Sequence, residues 1–457
     1  MKLDVVILAA GKGTRMKSFL PKVLQPLAKR PLLSHILETS LSLNAHKVAI
    51  VFGHGGDQVQ SQIKKEFSDA PIAWVEQQQQ LGTGHAVSQA LPVLDDDARA
   101  LILYGDVPLT SIATLVGFQD SVPKDQLGVL TIEMAVPTGY GRIIRGECGQ
   151  VVRIVEEKDA SVAEKAVTEV NTGIMVAPAA RLKEWLPRLS SNNAQGEYYL
   201  TDIVKLANEG GVAVQAVLVD DPMEVEGVND KRQLAKLERL LQAKHANHLM
   251  AMGATLADPA RVDVRGQVEV GSDCFIDVNV VFEGRVVLGN NVEIGPNCLI
   301  KDSVIGNNTT IKANSMLDNA RLADHCDVGP FARLRPGAEL ASAARVGNFV
   351  EVKNTYLGAH SKANHLAYLG DCEIGTEVNV GAGTITCNYD GVNKHKTRIG
   401  DGAFIGSNSS LVAPLEIGAG ATIGAGSTIT RKAEADALTV TRAKQTTIEG
   451  WRRPTKK

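Results

Sequence analysis

Aliphatic side chains recur at every sixth position through most of the second half of the chain, with occasional one-residue slips. A period of six is a multiple of the strand period of two and does not match the 3.6 residues of a helical turn. Short strands joined by tight turns, each with one inward aliphatic residue, therefore predict a parallel β-helix built from hexapeptides. The recurring residues are Val264, Val270, Ile276, Phe282, Leu288, Ile294, Ile300, Ile305, Ile311, Leu317, Leu322, Val328, Leu334, Leu340, Val346, Val352, Ile399, Ile405, Leu411, Ile417, Ile423 and Ile429.

Glycine directly follows many of these aliphatic positions. Because glycine adopts a positive φ without steric penalty, we expect these glycines to turn the chain in the left-handed region. They are Gly271, Gly289, Gly295, Gly306, Gly329, Gly347, Gly400, Gly406, Gly418 and Gly424.

One interval breaks the repeat, between Val380 and Ile399. The pattern predicts that about thirteen residues leave the coil there as an excursion. A long exposed loop in a regular solenoid is usually functional, so we expect this one to take part in a binding site.

Composition limits the class of protein. A length of 457 residues predicts two or three domains, and 48 basic against 51 acidic residues argue against a general nucleic-acid binder. The six cysteines form no C-x-x-C pair, so neither a zinc site nor a disulfide framework is indicated. The longest apolar runs are too short for a signal peptide or a membrane span, and we expect a soluble, cytoplasmic protein.

The first half alternates apolar strand patterns with helical ones. Buried parallel strands are predicted at Val5–Ala10, Val48–Phe52 and Leu101–Tyr104, with helices at Ser34–Leu43 and Gly84–Leu91. This is an α/β fold, and its ligand site is expected at the carboxyl ends of the strands.

Three segments follow from these patterns. Residues 1–229 form the α/β domain, residues 230–250 an amphipathic linker helix, and residues 251–457 the β-helix with a basic tail. The tail is either a solvated segment or part of an anion site.

The first predicted strand runs into the sequence G-K-G-T-R-M, which ends at Met16. Backbone N–H groups of such a loop can approach phosphate oxygens, and a following helix start would add positive dipole. A tight turn without a ligand is the alternative. Arg15 and Lys22 favour a triphosphate, because attack at its α-phosphorus needs cations on the equatorial and leaving oxygens.

Asp106 follows Tyr104 and Gly105 at the end of a predicted strand. A carboxylate at this edge of a parallel sheet is often catalytic or binds a metal. It could instead cap the next helix.

Two cations stack on the predicted β-helix. Arg335 follows inward Leu334, and Lys353 follows inward Val352 three hexapeptides later. If three hexapeptides make one coil, the two residues lie one strand spacing apart, about 4.8 Å at the backbone. Like charges at this spacing require an anion, either Glu351 or a bound phosphate.

Several first-half motifs resemble those of the sugar-phosphate nucleotidyltransferases. They are L-A-A-G-K-G-T-R-M with P-K, Q-Q-Q-Q-L-G-T-G-H-A, L-Y-G-D-V-P, G-Y-G-R, V-E-E-K-D, N-T-G and E-G-V-N. Together with the hexapeptide half, the whole chain resembles the bacterial bifunctional N-acetylglucosamine-1-phosphate uridylyltransferases and glucosamine-1-phosphate N-acetyltransferases. The resemblance implies a Rossmann-like nucleotidyltransferase domain, a linker helix and a left-handed parallel β-helix.

The resemblance also implies roles in the first half. Asp106 and Asn229 would hold Mg²⁺, and Arg15 and Lys22 would be catalytic. UTP and the N-acetylglucosamine moiety would contact Leu8, Ala9, Ala10, Gly11, Lys22, Gln77, Gly82, Thr83, Tyr104, Gly105, Asp106, Gly141, Glu156, Asn171 and Asn229. Among these, Gln77, Gly82 and Thr83 would meet uracil. Gly141, Glu156 and Asn171 would hold the sugar, and Glu157 is the alternative to Glu156.

In the second half, the resemblance makes His365 the general base of acetyl transfer, although a lone histidine is more often structural. Glucosamine-1-phosphate would contact Arg335, Lys353, Tyr368 and Asn379. Acetyl-CoA would contact Ala382, Asn388, Tyr389, Ser407, Ala425 and Arg442.

These resemblances predict a two-step enzyme. The β-helix acetylates glucosamine-1-phosphate from acetyl-CoA, and the α/β domain then joins the product to UTP with Mg²⁺. We expect a homotrimer that assembles through the β-helix and binds neither nucleic acid nor membrane. The alternative is a nucleotidyltransferase with one activity, whose β-helix serves assembly or regulation.

Overall fold

A computed structural model describes residues 2–456, and the chain divides after Leu241 into two compact units. The first unit is built on one twisted sheet. Its strands are β1 (Lys2–Ala9), β2 (Lys47–Phe52), β3 (Ile72–Glu76), β4 (Ala98–Tyr104), β5 (Leu127–Glu133), β6 (Arg142–Arg145), β7 (Val151–Val155), β8 (Glu169–Pro178) and β9 (Val214–Leu218). Its helices are α1 (Leu32–Ser42), α2 (Gly56–Glu66), α3 (Thr83–Ala90), α4 (Ile112–Ser121), α5 (Val162–Lys165), α6 (Ala179–Trp185) and α7 (Ile203–Glu209). A short ribbon pairs Pro26–Leu27 with Arg30–Pro31.

The sheet order is β9-β5-β8-β4-β1-β2-β3, with β6 and β7 as an antiparallel pair attached to β8. Strands β1 to β4 run parallel, and β8 runs antiparallel between β4 and β5. The chain moves outward from β1 through β2 and β3, then returns to β4 on the other side of β1. This reversal opens a crevice at the carboxyl ends of β1 and β4, where doubly wound folds bind ligands. The predicted Rossmann-like architecture is confirmed.

Helix α8 (Lys231–Ala251) covers the segment predicted as an amphipathic linker. Its Leu237 and Leu241 pack with Leu27 and Val228 in the first unit. Its Ala246 and Leu249 belong to the core of the second unit. Within the described residues, the structure has no helix long and apolar enough to cross a membrane.

The second unit is the predicted parallel β-helix. Each regular coil gives one strand to an 11-stranded sheet and two strands to a 17-stranded sheet within the described residues, so the coil has three sides. The 11-stranded sheet holds Thr255–Leu256, Phe275–Ile276, Glu293–Ile294, Thr310–Ile311, Asp327–Val328, Arg345–Asn348, Lys362–His365, Asn379–Val380, Phe404–Ile405, Thr422–Ile423 and Leu438–Thr439.

The 17-stranded sheet holds Val262–Val270, Val280–Leu288, Leu299–Lys301, Val304–Ile305, Met316–Asp318, Arg321–Leu322, Arg333–Leu334, Ala338–Leu340, Glu351–Lys353, Thr355–Leu357, Tyr368–Gly370, Cys372–Ile374, Ile385–Cys387, Thr397–Ile399, Ser410–Val412, Leu415–Ile417 and Thr428–Ile429. The recurring aliphatic residues line the interior. Except for the partly buried Val270, each is at most 4% exposed, which confirms the inward periodicity.

The prediction that the glycines after the aliphatic positions turn the chain with a positive φ is wrong for all but one of them. Gly329 has a positive φ of 99°, but the other glycines in that series do not. The left-handed turns fall instead on residues such as Asn291 and Asn308, because asparagine tolerates this region. The glycines are needed for close approach between coils: a Cβ on Gly289 would lie 2.8 Å from the backbone nitrogen of Asn307.

The excursion is shorter than predicted. Strand Ile385–Cys387 stays in the coil and pairs with Ser410–Val412, and buried Thr386 takes the inward position. The aliphatic pattern could not register this coil because a threonine replaces the aliphatic residue. Only residues 388–396 leave the coil, between Cys387 and Thr397, and we call them the excursion loop.

Candidate functional site

A cavity of about 510 Å³ lies at the carboxyl ends of β1 and β4 in the first unit. Most of the residues predicted to bind the nucleotide line it. The lining residues are Leu8, Ala10, Gly11, Lys12, Lys22, Val23, Gln77, Gln80, Gly82, Thr83, Ala86, Tyr104, Asp106 and Glu197. The predicted residues absent from this lining are Ala9, Gly105, Gly141, Glu156, Asn171 and Asn229. Ala9 is packed into the core, and Gly105 donates its N–H to the Leu8 carbonyl (3.0 Å), which joins β1 to the end of β4.

Four polar residues that are distant in sequence meet at the edge of this cavity. The Lys22 ammonium forms an ion pair with Asp106 Oδ2 and lies 3.5 Å from Asn229 Oδ1. Arg15 Nη2 donates to the same Asn229 oxygen at 2.9 Å. The Lys22 ammonium is therefore shared by the two oxygens that the family resemblance assigns to Mg²⁺.

The glycine-containing loop differs from expectation in one respect. It leads into a short 3₁₀ turn (Thr14–Met16) and not into a helix start, so no helix dipole is available there. The glycine has a steric role instead. A Cβ on Gly13 would lie 2.6 Å from Lys22 Cβ, so this glycine lets the lysine approach the loop.

The end of the cavity predicted to hold uracil is organised by glutamine amides. Buried Gln77 donates from Nε2 to the Gly82 carbonyl (3.2 Å) and lies 3.0 Å from His85 Nδ1. Gln80 donates from Nε2 to the Ala10 carbonyl at 2.5 Å. The hydroxyl of Thr83 accepts the Leu200 N–H (3.2 Å), which joins the start of α3 to the segment before α7.

Gly141, Glu156 and Asn171 also come together. Asn171 donates its backbone N–H to the Gly141 carbonyl (2.8 Å), and a Cβ on Gly141 would lie 3.4 Å from Glu156 Oε1. Burial raises the pKa of Glu156, while the hydroxyl of Thr201, 3.0 Å from Oε1, acts against that rise. The alternative Glu157 is engaged elsewhere, because its carboxylate forms a 2.7 Å ion pair with Arg142.

Tyr104 lies beside this group. A Cβ on Gly173 would lie 2.6 Å from the Tyr104 ring, so the tyrosine is packed directly against a glycine with a φ of 90°. Burial raises the pKa of the Tyr104 phenol above its usual range.

In the second unit, Arg335 and Lys353 lie on successive coils. Their preceding residues Leu334 and Val352 are strand partners, as the spacing predicted. Arg335 Nη1 donates to Glu351 Oε1 at 2.8 Å, so the carboxylate alternative is present in the structure. The pKa of Lys353 is lowered chiefly by the side chain of Lys394, a residue of the excursion loop.

His365 lies at the end of a strand in the 11-stranded sheet. Its Nδ1 is 2.9 Å from Asn348 Oδ1 on the preceding coil. An amide oxygen only accepts hydrogen bonds, so in the neutral ring this contact requires the proton on Nδ1 and leaves the Nε2 lone pair available. Tyr368, on the next strand, pairs with Glu351. Asn379 pairs with Lys362 at the start of the His365 strand.

His365 begins a column whose other members were predicted to contact acetyl-CoA. Strand pairing aligns Ala363 with Val380, Val380 with Ile405 and Ile405 with Ile423. Two residues beyond these lie His365, Ala382, Ser407 and Ala425, all at one corner of the coil. The Cδ of Arg442 lies 3.7 Å from where a Gly426 Cβ would be, so Arg442 extends this column.

Asn388 and Tyr389 do not join that column within one chain. They follow strand Ile385–Cys387, whereas Ala382 precedes it, so they lie at another corner. Asn388 is buried and donates to Asp371 Oδ2. Tyr389 is exposed and donates its hydroxyl to the Gly391 carbonyl at 2.5 Å.

Known families match both halves of the chain. The model of the MobA-like NTP transferase domain matches residues 5–167, that of the GMPPB C-terminal domain residues 261–365, and that of the bacterial transferase hexapeptide residues 396–431. The bifunctional protein GlmU of Marinobacter nauticus is 56% identical over 454 residues, which cover 99% of both chains. The GlmU proteins of Pseudomonas entomophila and Idiomarina loihiensis are 55% and 56% identical, and each match covers 100% of this chain and 99% of the relative. The chain belongs to the GlmU family. A bifunctional transferase with a nucleotidyltransferase half and a hexapeptide acyltransferase half, as the motifs predicted, is confirmed.

Sequence reasoning missed several residues around both sites of this GlmU family member. Gln80 and Thr201 contact predicted binding residues in the first unit. Asp371 and Lys394 do so in the second. The Q-Q-Q-Q tract includes Gln80, but nothing in it distinguishes one amide from the next. Thr201 and Asp371 each contact a residue more than a dozen positions away in the sequence, which no local sequence pattern reveals.

Proposed function

We propose that the second unit transfers an acetyl group from acetyl-CoA to the amine of glucosamine-1-phosphate. The first unit then joins the N-acetylglucosamine-1-phosphate to UTP, which gives UDP-N-acetylglucosamine and pyrophosphate. We assign the two steps to residues 251–457 and 1–229, with residues 230–250 as the link. The observation that carries the proposal is the column of His365, Ala382, Ser407 and Ala425 in a GlmU family member.

Asp106 and Asn229 fit the predicted Mg²⁺ site, because their side-chain oxygens converge on the single ammonium of Lys22. A carboxylate and an amide oxygen are the hard donors that Mg²⁺ prefers. Mg²⁺ bound there would neutralise phosphate charge and bring the triphosphate and the sugar phosphate together.

The chain's own cations support the uridylyl step. An oxygen of the sugar phosphate attacks the α-phosphorus of UTP, the bond to the β-phosphate oxygen breaks, and pyrophosphate leaves. Lys22 and Arg15 place positive charge beside Asp106 and Asn229, where negative charge accumulates on the phosphates. Glu156 accepts hydrogen bonds from the sugar, with Asn171 and Gly141 beside it.

His365 supports the acetyl step as a general base. Its Nε2 takes a proton from the amine as the nitrogen attacks the thioester carbonyl, and the same proton then neutralises the departing thiolate of CoA. Asn348 holds the ring in the tautomer that this role needs. Arg335 and Lys353 would bind the sugar phosphate, with Tyr368 and Asn379 positioning the sugar.

The acetyl-CoA residues favour assembly between chains. Ala382 and Asn388 lie at opposite ends of one short strand, at two corners of the coil, and we infer that neighbouring copies each supply one of them to a shared acetyl-CoA site. We infer a homotrimer through the β-helix, with Arg442 contributing charge for the CoA phosphates. UTP and acetyl-CoA are intracellular metabolites, so the proposed site of action is the cytoplasm, without nucleic-acid or membrane partners.

Release of free thiol from acetyl-CoA tests this proposal. The purified chain should release thiol when glucosamine-1-phosphate is present and not when it is omitted. It should also release pyrophosphate from UTP with N-acetylglucosamine-1-phosphate. Pyrophosphate release without any thiol release would leave a single-activity nucleotidyltransferase.

A further inference from the structure

Asp371 stands at the centre of a polar ladder at the corner between the two strands that each regular coil gives to the 17-stranded sheet. Asn354, on the preceding coil, donates from Nδ2 to Asp371 Oδ1 at 2.6 Å. Asn388, on the following coil, donates from Nδ2 to Asp371 Oδ2. Asp371 and Asn388 are only 6% and 7% exposed, so water competes little for these contacts.

A carboxylate differs from every other side chain of this size because, when ionised, it only accepts hydrogen bonds. Burial raises the pKa of Asp371, but hydrogen bonds from Asn354 and Asn388, together with the positive charges of Lys353 and Lys394, outweigh burial and leave the pKa below its ordinary value. The ionised carboxylate therefore fixes which end of each neighbouring amide faces it. Asn388 must point its NH₂ group at Asp371 and its Oδ1 away from it.

Asn388 also forms the base of the excursion loop. Its backbone N–H donates to the Thr386 carbonyl (3.0 Å), and its carbonyl accepts the N–H of His395 (2.8 Å). The loop carries Lys394, which faces Lys353, and both ammonium groups act on the Asp371 carboxylate. One carboxylate thus anchors the loop and offsets the repulsion between two cations.

We propose that Asp371 is a positioning residue for acetyl transfer, which orients the Asn388 amide so that its oxygen faces the amide N–H groups of the acyl donor. This inference rests on the proposed function, since it takes the acyl donor to be a pantetheine thioester that contacts Asn388. Asp371 itself touches no substrate. Its effect is transmitted through the orientation of Asn388 and the base of the loop.

The test compares steady-state acetyl transfer by the full-length wild type with four variants. Asp371→Asn keeps the size of the side chain but lets the Asn388 amide adopt either orientation. Asn388→Asp sets two carboxylates against each other, and the double variant restores one donor and one acceptor in reversed order. Asp324→Asn is the matched control, because Asp324 also accepts hydrogen bonds from an asparagine on the preceding coil, Asn307, far from the excursion loop.

Loss of a hydrogen bond to a charged group corresponds to roughly a tenfold or larger change. We expect Asp371→Asn to raise the KM for acetyl-CoA about tenfold, with a smaller change in kcat and in the KM for glucosamine-1-phosphate. Asp324→Asn should stay within about twofold of wild type. The double variant should bind CoA more tightly than Asn388→Asp, because the hydrogen bond between positions 371 and 388 is restored.

Equal kinetics for Asp371→Asn and Asp324→Asn would overturn the proposal. If Asp371→Asn does not fold, as judged by its thermal unfolding midpoint, calorimetric CoA binding to Asn388→Asp and to the double variant decides. Equal or weaker binding by the double variant overturns the proposal in that case. Failure of the proposed function is recognised separately, because the wild type would then release no thiol.

Discussion

Replacing Thr201 with valine tests how the first unit holds the sugar. Thr201 is 6% exposed, and its hydroxyl is 3.0 Å from Glu156 Oε1. Valine has the same shape without the hydroxyl, so the substitution removes one hydrogen bond to a carboxylate and leaves the packing in place. Such a bond is worth about 1.5 to 3 kcal/mol, and the lower end applies where the carboxylate is partly exposed.

A loss of about 1.5 kcal/mol corresponds to roughly a tenfold change in binding. Because Glu156 is proposed to contact the sugar in both the bound state and the transition state, the change should appear in KM. We expect the KM for N-acetylglucosamine-1-phosphate to rise about tenfold in Thr201→Val, with kcat little changed. Pyrophosphate release at varied sugar-phosphate concentration measures both constants.

The pH profile gives a second readout with a defined direction. Burial raises the pKa of Glu156, and the Thr201 hydrogen bond opposes this rise by stabilising the ionised form. Removing the hydroxyl should raise the pKa further, so the acid limb of the uridylyl-transfer profile should move to higher pH. Thr201→Ser keeps the hydroxyl and serves as the control. A valine variant with the KM and acid limb of the serine variant would refute the reasoning.

Four other perturbations follow from the structure. Gly289→Ala should lower the free energy of unfolding by about 1 to 3 kcal/mol, and with it the thermal unfolding midpoint, because the added Cβ would lie 2.8 Å from the backbone of the next coil. Gly117→Ala, in helix α4 with open space around the added carbon, should raise the unfolding midpoint slightly. Midpoints that change in the same direction in the Gly289→Ala and Gly117→Ala variants would contradict this account. Arg99→Met should leave the stability unchanged or raise it by about 1 kcal/mol: Arg99 Nη1 donates to the Gln119 carbonyl, but the buried Nε and Nη2 have no hydrogen-bond partner among the described residues. A clear loss in urea unfolding would show a stabilising role for the guanidinium. A chelator of divalent cations should abolish pyrophosphate release and spare thiol release, and loss of both together would argue against a metal confined to Asp106 and Asn229.

The β-helix could be predicted from sequence because its coil depends on one inward residue in six. The same pattern failed at Thr386, because this threonine takes the inward position of its coil but is not aliphatic, so a search for aliphatic residues does not find it. The prediction that the glycines after the aliphatic positions turn the chain with a positive φ was wrong at every one of them except Gly329. Their role depends on the distance between coils, as at Gly289 and Asn307, which a single-residue preference does not contain.

The candidate sites were predicted unevenly. Asp106 follows the end of β4, where the fold itself predicts ligand contacts, and the structure brings it together with Lys22 and Asn229. Thr201 and Asp371 could not be predicted, because their importance comes from a partner on another segment. The separation of Asn388 from Ala382 could not be predicted either, because it depends on the strand Ile385–Cys387 that lies between them in the coil.

The central claim is that one chain carries two separate transfer sites. The most direct measurement records thiol release and pyrophosphate release on the same preparations of His365→Ala and Asp106→Ala. We predict that His365→Ala loses thiol release and keeps pyrophosphate release at the wild-type rate, and that Asp106→Ala shows the reverse. Loss of both activities in either variant, with an unchanged unfolding midpoint, would contradict the account.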